Sequence, residues 1–268
     1  MKKVILITGS TDGIGLETAK ALVSNGHHVL IHGRNPTKLA DVSEILSGLA
    51  GAGVVESYCS DLSNLSDVEA LADTIMDKHQ KIDVLINNAG VYKTVKIDTE
   101  DGLDVRFVVN TIAPFLLTQR LVDLFDTSGR IINLSSAAQS HVDLDSLTRP
   151  NNDIEDSNIY AQSKLGLIMW SIYMAEQYKE KGPAIISLNP ASLLGSKMVK
   201  EAYGIKGGDL NIGVDILCRA ALSDEFANAS GRYFDNDVGR FTSPHPDALN
   251  TSKNKALVAK IKSVLANK

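Results

Sequence analysis

Apolar residues come in short, nearly unbroken runs along the chain, at 4–7, 29–31, 54–55 with Tyr58, 84–86, 131–134 (interrupted by Asn133) and 185–188 (interrupted by Ser187). Unbroken runs, rather than alternate positions, mark strands covered on both faces, as in a parallel sheet. Between them, at 15–25, 37–49, 66–78, 103–124 and 160–179, apolar residues recur every three or four positions and predict amphipathic helices. Repeated strand–helix alternation predicts an α/β fold: a single Rossmann-type doubly wound parallel sheet with helices on both faces. A short strand at 232–234 and a closing helix near 248–265 would bring it to about seven strands. There is no internal repeat and no Pro/Gly/Ser-rich linker, so residues 1–268 are expected to form one domain.

Composition narrows the class. A chain of 268 residues, 44% hydrophobic and 22% charged, can bury a large core without disulfides or structural metal. Its two cysteines, Cys59 and Cys218, form no CxxC pair, and its six histidines form no HExxH motif. No metal site is expected, and a reduced cytoplasmic setting is. A net charge of -5 argues against broad nucleic-acid binding. No apolar run approaches the roughly 20 residues of a membrane span, so no membrane partner is expected.

The first strand runs into Thr8-Gly9-Ser10-Thr11-Asp12-Gly13-Ile14-Gly15, with a helix immediately behind. Glycines there allow a tight turn and let a pyrophosphate approach the N–H groups of the helix start, where the dipole favours anions. The second strand ends Gly33-Arg34-Asn35, with Lys38 one turn on. An NAD site normally has a carboxylate near this point for the ribose 2′-OH, whereas an Arg suits a 2′-phosphate. Arg34 and Lys38, with no carboxylate at Gly33, therefore predict NADP(H) over NAD(H), the latter still possible.

Further along stand Asp61-Leu62, Asn87-Asn88-Ala89-Gly90, Asn110, Ser135-Ser136 and Tyr160-Ala161-Gln162-Ser163-Lys164. In that order, behind the glycine loop, these motifs resemble the short-chain dehydrogenase/reductase family over essentially the whole chain. The spacing between Ser136 and Tyr160, and the Gly33-Arg34-Asn35 strand end, are similar to its retinol-dehydrogenase-like branch. Tyr92 and Lys96 make a second YxxxK, but without a helical pattern around it. Tyr160 and Lys164 open a long helix, where an i, i+4 spacing sets both on one face.

The chemistry asks for these residue types. Carbonyl reduction needs a proton on oxygen as well as hydride on carbon. A phenol with an ordinary pKa near 10 needs a neighbouring cation to exchange protons near neutrality. Lys164 would supply that charge to Tyr160, and Ser136 would donate to the substrate oxygen. The resemblance implies that Lys164 also holds the nicotinamide ribose and that Asn110 anchors a water in a proton relay. It further implies that Asp61 and Leu62 lie by the adenine and that Asn87, Ala89 and Gly90 line the adenosine. Asn87 could equally be a brace between central strands. Ser135 is the rival to Ser136.

After the sixth strand the family usually has Pro-Gly, whereas here Pro190-Ala191-Ser192 leads to Ser196. Pro190, Ala191, Ser192 and Ser196 are the candidates for the nicotinamide side. Ala191 cannot take glycine's positive φ cheaply, so a local departure is expected. Residues 192–210 read as a lid, with apolar residues beside glycine hinges. Residues 137–159 read as an acidic insertion, either a substrate-side flap or a solvated excursion. The expected substrate is a small-molecule carbonyl compound or a primary or secondary alcohol. Leu193, Leu194 and Met198 would suit an apolar one but could equally be packing residues, and Tyr92 could also touch it. The resemblance implies a homodimer or homotetramer through the helices at 103–124 and 160–179. Two other readings are a dinucleotide-sensing protein without turnover and an epimerase or dehydratase that reuses YxxxK; the retained Ser/Tyr/Lys set and the short chain argue against them.

Overall fold

The computed structural model describes residues 2–150 and 153–267. Its strands are β1 (Val4–Ile7), β2 (His28–Gly33), β3 (Val55–Cys59), β4 (Val84–Asn87), β5 (Arg130–Leu134), β6 (Ala184–Asn189), β7 (Tyr233–Asp235) and β8 (Arg240–Thr242). They form one eight-stranded sheet in the order β3-β2-β1-β4-β5-β6-β7-β8, parallel except for β8. The expected doubly wound α/β sheet is present, with one strand more than the sequence reading gave. β8 returns antiparallel on β7 through a turn at Gly239, φ 67°. Three residues are too short a run to stand out by periodicity.

Alternate strand residues feed two cores. Leu6, Leu30, Leu85, Ile131 and Ile185 face one side, and Ile5, Ile7, Val29, Ile31, Val84 and Ile86 the other. The second face is covered by α1 (Gly13–Ser24), α2 (Pro36–Ser47) and α8 (Leu210–Leu222). The first is covered by α3 (Leu65–Lys78), α4 (Val105–Phe107), α5 (Ala113–Leu121), α6 (Asp156–Gln177) and α9 (Thr251–Ala266). The short α7 (Lys197–Tyr203) lies on neither, with no buried residue. α8, absent from the sequence reading, is the crossover that carries the chain from β6 to β7.

A π-helical stretch, Val108–Ile112, joins α4 to α5. The whole helical segment Val105–Leu124 has the length and hydropathy of a membrane span, but 78% of its 18-residue apolar window is buried within the fold. It is a core helix. α6 begins at Asp156, four residues earlier than expected. There the Asp156 carboxylate accepts from Arg106 Nη1 at 2.6 Å. Arg106 is itself buried and pairs with buried Asp104.

The segment 137–155, of which Asn151 and Asn152 lie outside the described residues, is an anchored excursion. It buries Val142 and Leu147 in the core and ties His141 Nδ1 to Asp247 at 2.6 Å. α3 packs on α5 and α9 on α6. Each helix through which the resemblance implies dimerisation therefore already carries an intrachain helix.

Candidate active site

The glycine loop, Arg34, Asp61, Asn88–Gly90, Ser135-Ser136 and Pro190 each follow the carboxyl end of a parallel strand, the edge where open α/β sheets bind ligands. The loop after β1 turns at Gly9 (φ 65°) and Gly13 (φ 54°). A Cβ on Gly9 would stand 2.9 Å from Ala89 Cα, so the loop backs directly onto the Asn88–Gly90 turn. Asn88 Nδ2 donates to the Thr8 and Gly9 carbonyls, and Thr8 Oγ1 accepts from the Asn88 and Ala89 N–H groups. Asp12 caps α1 by accepting from Gly13 N, and Gly15 in its first turn packs directly against Asn88 and the Gly9 carbonyl. The cradle therefore presents backbone and hydrogen atoms where a pyrophosphate must come close, and its residues fit a dinucleotide.

Several assigned side chains prove to be occupied within the fold. Ser10 Oγ accepts from His32 N at 2.9 Å, pinning the loop to β2. Thr11 fills the space beside Gly33, where a Cβ would meet Thr11 Cγ2 at 2.6 Å. Gly33 is thus glycine for packing as well as for charge. Asn35 caps α2 by accepting from Lys38 N, and Leu62 packs into the core. Asn87 donates to Thr118 Oγ1 and Asn133 Oδ1, so its side chain braces β4 against its neighbours instead of lining the adenosine. Asp61 remains part-exposed at the sheet edge, accepting from Ser63 N and Oγ. Arg34 is exposed with no ion-pair partner among the described residues, while Lys38 Nζ lies 2.7 Å from Asp12 Oδ2.

One contributor was invisible in the sequence. His32 is buried, and its Nδ1 accepts the Gly9 N–H at 3.1 Å. Its Nε2 therefore carries the hydrogen and donates to Ser60. Burial, against the Ser60 bond and the Asp61 charge, depresses its pKa to about 4. The ring is a neutral strut under the glycine loop, and nothing local in Ile31-His32-Gly33 signals it.

On the other side of the cleft, Ser136, Tyr160 and Lys164 converge. The Ser136 hydroxyl accepts from Ala138 N at 3.1 Å and lies beside the Tyr160 phenol. Ser135 points inward and donates to the Lys164 carbonyl. Lys164 Nζ stands 5.7 Å from the Tyr160 ring centre and donates to the Leu134 carbonyl at 2.7 Å. A Cβ on Gly90 would lie 3.3 Å from Asn110 Oδ1 and 3.4 Å from Lys164 Nζ, so these groups border one space. Asn110, within the π-helical stretch, exchanges two hydrogen bonds with Val91 and donates to Ser163 Oγ, which donates in turn to the Tyr160 carbonyl.

Burial decides the titration here. It pushes the Tyr160 phenol up to about 12, outweighing the lowering effect of the Ser136 bond. Burial also brings the Lys164 ammonium down to about 8. The sequence reading expected the Lys164 charge to acidify the phenol. In this arrangement Lys164 is turned to Leu134, and desolvation of the phenol prevails.

The second YxxxK divides. Lys96 is exposed and outside any helix, whereas Tyr92 packs its ring 4.9 Å from that of Tyr160. Tyr203, the last residue of α7, packs on Tyr92 at 5.6 Å. Among the lid residues, Met198 Cε reaches to 3.7 Å from a Cβ placed on Gly90, and Leu193 is exposed. Leu194 is buried beside Gly213, so it is a packing residue. Ser196 caps α7 by accepting from Val199 N, and its Cβ would lie 3.8 Å from one on Gly13.

At Ala191 the backbone takes a positive φ despite the side chain. Its φ is 118° and that of Leu193 is 52°. The backbone keeps a glycine-like path with non-glycine residues in it.

Comparison with known proteins agrees with this geometry. The family model for short chain dehydrogenases matches residues 3–204. Retinol dehydrogenase 13 of Homo sapiens is 28% identical over 251 residues, covering 87% of this chain and 76% of its own. The chloroplastic short-chain dehydrogenase TIC 32 A of Brassica napus is 30% identical over 271 residues, covering 92% and 83%. Among solved structures, an uncharacterized protein from Mycobacterium paratuberculosis superposes with a TM-score of 0.80 at 23% identity, covering 98% and 92%. The NADPH-bound carbonyl reductase from chicken fatty liver gives 0.71 at 22%, covering 91% and 99%. The chain belongs to the short-chain dehydrogenase family and is an oxidoreductase. Within the family it falls in the retinol-dehydrogenase-like branch.

Proposed function

We propose that the protein is an NADP(H)-dependent reductase of an apolar carbonyl compound, with Tyr160 as the proton donor. The carrying observation is the convergence of the Ser136 hydroxyl, the Tyr160 phenol and the Lys164 ammonium beside Gly90, across the cleft from a glycine loop. The nicotinamide cofactor supplies or removes the hydride. Tyr160, its pKa raised to about 12, is protonated at neutral pH and ready to protonate a carbonyl oxygen, a state that suits reduction better than alcohol oxidation. Ser136 donates to that oxygen as it gains charge. Lys164, charged below about pH 8, balances the phenolate left behind.

Arg34, unpaired among the described residues and at the end of β2, suits a 2′-phosphate. Lys38 joins it only by sharing itself with Asp12. Residues 192–210 act as the lid, since α7 has no buried residue and reaches the site through Tyr203 and Met198. Exposed Leu193, Met198 and the Tyr92 ring favour an apolar substrate. Both cysteines are free thiols, which fits a reducing compartment such as the cytoplasm.

The test is a screen of NADPH and NADH oxidation over a panel of carbonyl compounds, repeated with Tyr160→Phe. Turnover with a clear NADPH preference is expected, falling by roughly 10²- to 10⁴-fold in the variant with NADPH binding kept. Activity that survives the substitution, or an NADH preference, overturns the corresponding assignment. Tight NADPH binding without turnover on any carbonyl would point to a sensor.

A further inference from the structure

Two residues of the bend after β6 hold a left-handed backbone without being glycine: Ala191 at φ 118° and Leu193 at φ 52°. Such conformations cost free energy and persist only where the surroundings over-determine them. The residues flanking Ala191 are held by the β7–β8 turn, 45 residues on in the chain, while the Leu193 carbonyl accepts from Gly208 N at 2.8 Å. Asp237 Oδ1 accepts from Ser192 N at 2.8 Å, and its Oδ2 accepts from Ser192 Oγ at 2.5 Å and from Asn189 Nδ2 at 2.9 Å. Asn236 Nδ2 donates to the Pro190 carbonyl at 3.1 Å, and Asn236 N to the Asn189 carbonyl. Asp235 Oδ1 accepts from Asn189 Nδ2 and from Asp237 N, fixing the clamp itself. Ala191 has no polar side chain of its own, so the residues on either side of it are what is gripped. A carboxylate accepting from an N–H and a hydroxyl makes charge-assisted bonds, stronger than neutral ones.

The bend faces the cleft. Leu194 and Ile14 of the glycine-loop helix flank Gly213, Ser196 stands opposite Gly13, and Met198 reaches the space bordered by Gly90 and Lys164. We propose that Asp237 is a positioning residue: it holds the Asn189–Ser192 bend in its left-handed path and thereby sets where the loop stands over the cofactor cleft. The proposal rests on the reading of that cleft as a dinucleotide site. It also explains how this chain manages without the glycine that usually follows the proline. The hairpin does by clamping what glycine does by conformational freedom.

The test uses the full-length protein as wild type, Asp237→Asn, Ala191→Gly and the double variant. Asp237→Asn is expected to raise KM for NADPH about tenfold, the effect of weakening charge-assisted bonds, with a smaller change in kcat. In the Ala191→Gly background the same substitution should cost less than about threefold, because glycine holds φ 118° unaided. Hydrogen exchange gives a readout independent of cofactor: peptides over residues 189–196 should exchange at least about tenfold faster in Asp237→Asn. Equal losses in both alanine and glycine backgrounds would mean independent structural effects and would sink the proposal. So would unchanged exchange over 189–196. A wild type that binds no NADPH would instead defeat the dinucleotide reading, with the exchange result still deciding whether Asp237 holds the bend.

Discussion

In the loop after β1 the residues that turn left-handed are glycines, Gly9 at φ 65° and Gly13 at φ 54°. In the loop after β6 they are Ala191 and Leu193. The first loop is supported from beneath by backbone, by Asn88 and by the neutral His32 ring, all within the β1–β4 half of the sheet. The second is gripped by the tip of a hairpin at the opposite edge, while helix α7 beyond it has no buried residue. One loop is relaxed in its geometry and the other is held against it. A rigid seat is what an anion-binding turn requires, and a restrained but releasable loop is what a lid requires.

The comparison can be broken most strongly at His32. In the fold it stays neutral down to about pH 4, while the unfolded chain takes up a proton near 6.5. Stability is therefore fully present above pH 6.5 and is lost as pH falls from there to about 4, by about 3 kcal/mol from this group. Urea titrations across that range should show the loss and its near disappearance in His32→Asn. Parallel curves for the two proteins would mean that the ring is no strut.

Gly9→Ala comes next. Its methyl meets the backbone of Ala89 at 2.9 Å in a conformation alanine resists, at a cost of about 2 kcal/mol or more. Thermal melts should register it, whereas Ala191→Gly should leave stability unchanged or higher. A neutral Gly9→Ala would erase the distinction between the two loops.

The smallest effect belongs to the lid. Tyr203→Ala removes the ring that packs on Tyr92, and a pair of this kind contributes about 1 kcal/mol. KM for bulky apolar carbonyl compounds should rise roughly threefold with little change for small ones. Steady-state kinetics on both classes separate the outcomes, and equal changes would remove the lid from substrate selection.

Much of this was legible because its causes are local. Continuous apolar runs marked the six long parallel strands, and a glycine loop between a strand and a helix marked the anion seat. Tyr160 and Lys164 could be chosen over Tyr92 and Lys96 because helical spacing puts them on one face, whereas Ser136 was preferred to Ser135 only by the family resemblance. β8 and α8 were missed, since the first is three residues long and the second follows a stretch read wholly as lid.

What the sequence by itself determined is the alternation of the six longer strands with their helices and the glycine turn, both matters of short-range pattern and residue chemistry. Only the tertiary structure decided that Asn87 and Ser10 spend their side chains inside the fold. The same holds for Lys38 pairing with Asp12 and for burial, not the Lys164 charge, ruling the Tyr160 phenol. It alone joined Asp237 to Ser192 and His32 to Gly9. Desolvation and hydrogen bonding act between residues brought together by the sheet, and their separation along the chain carries no local trace.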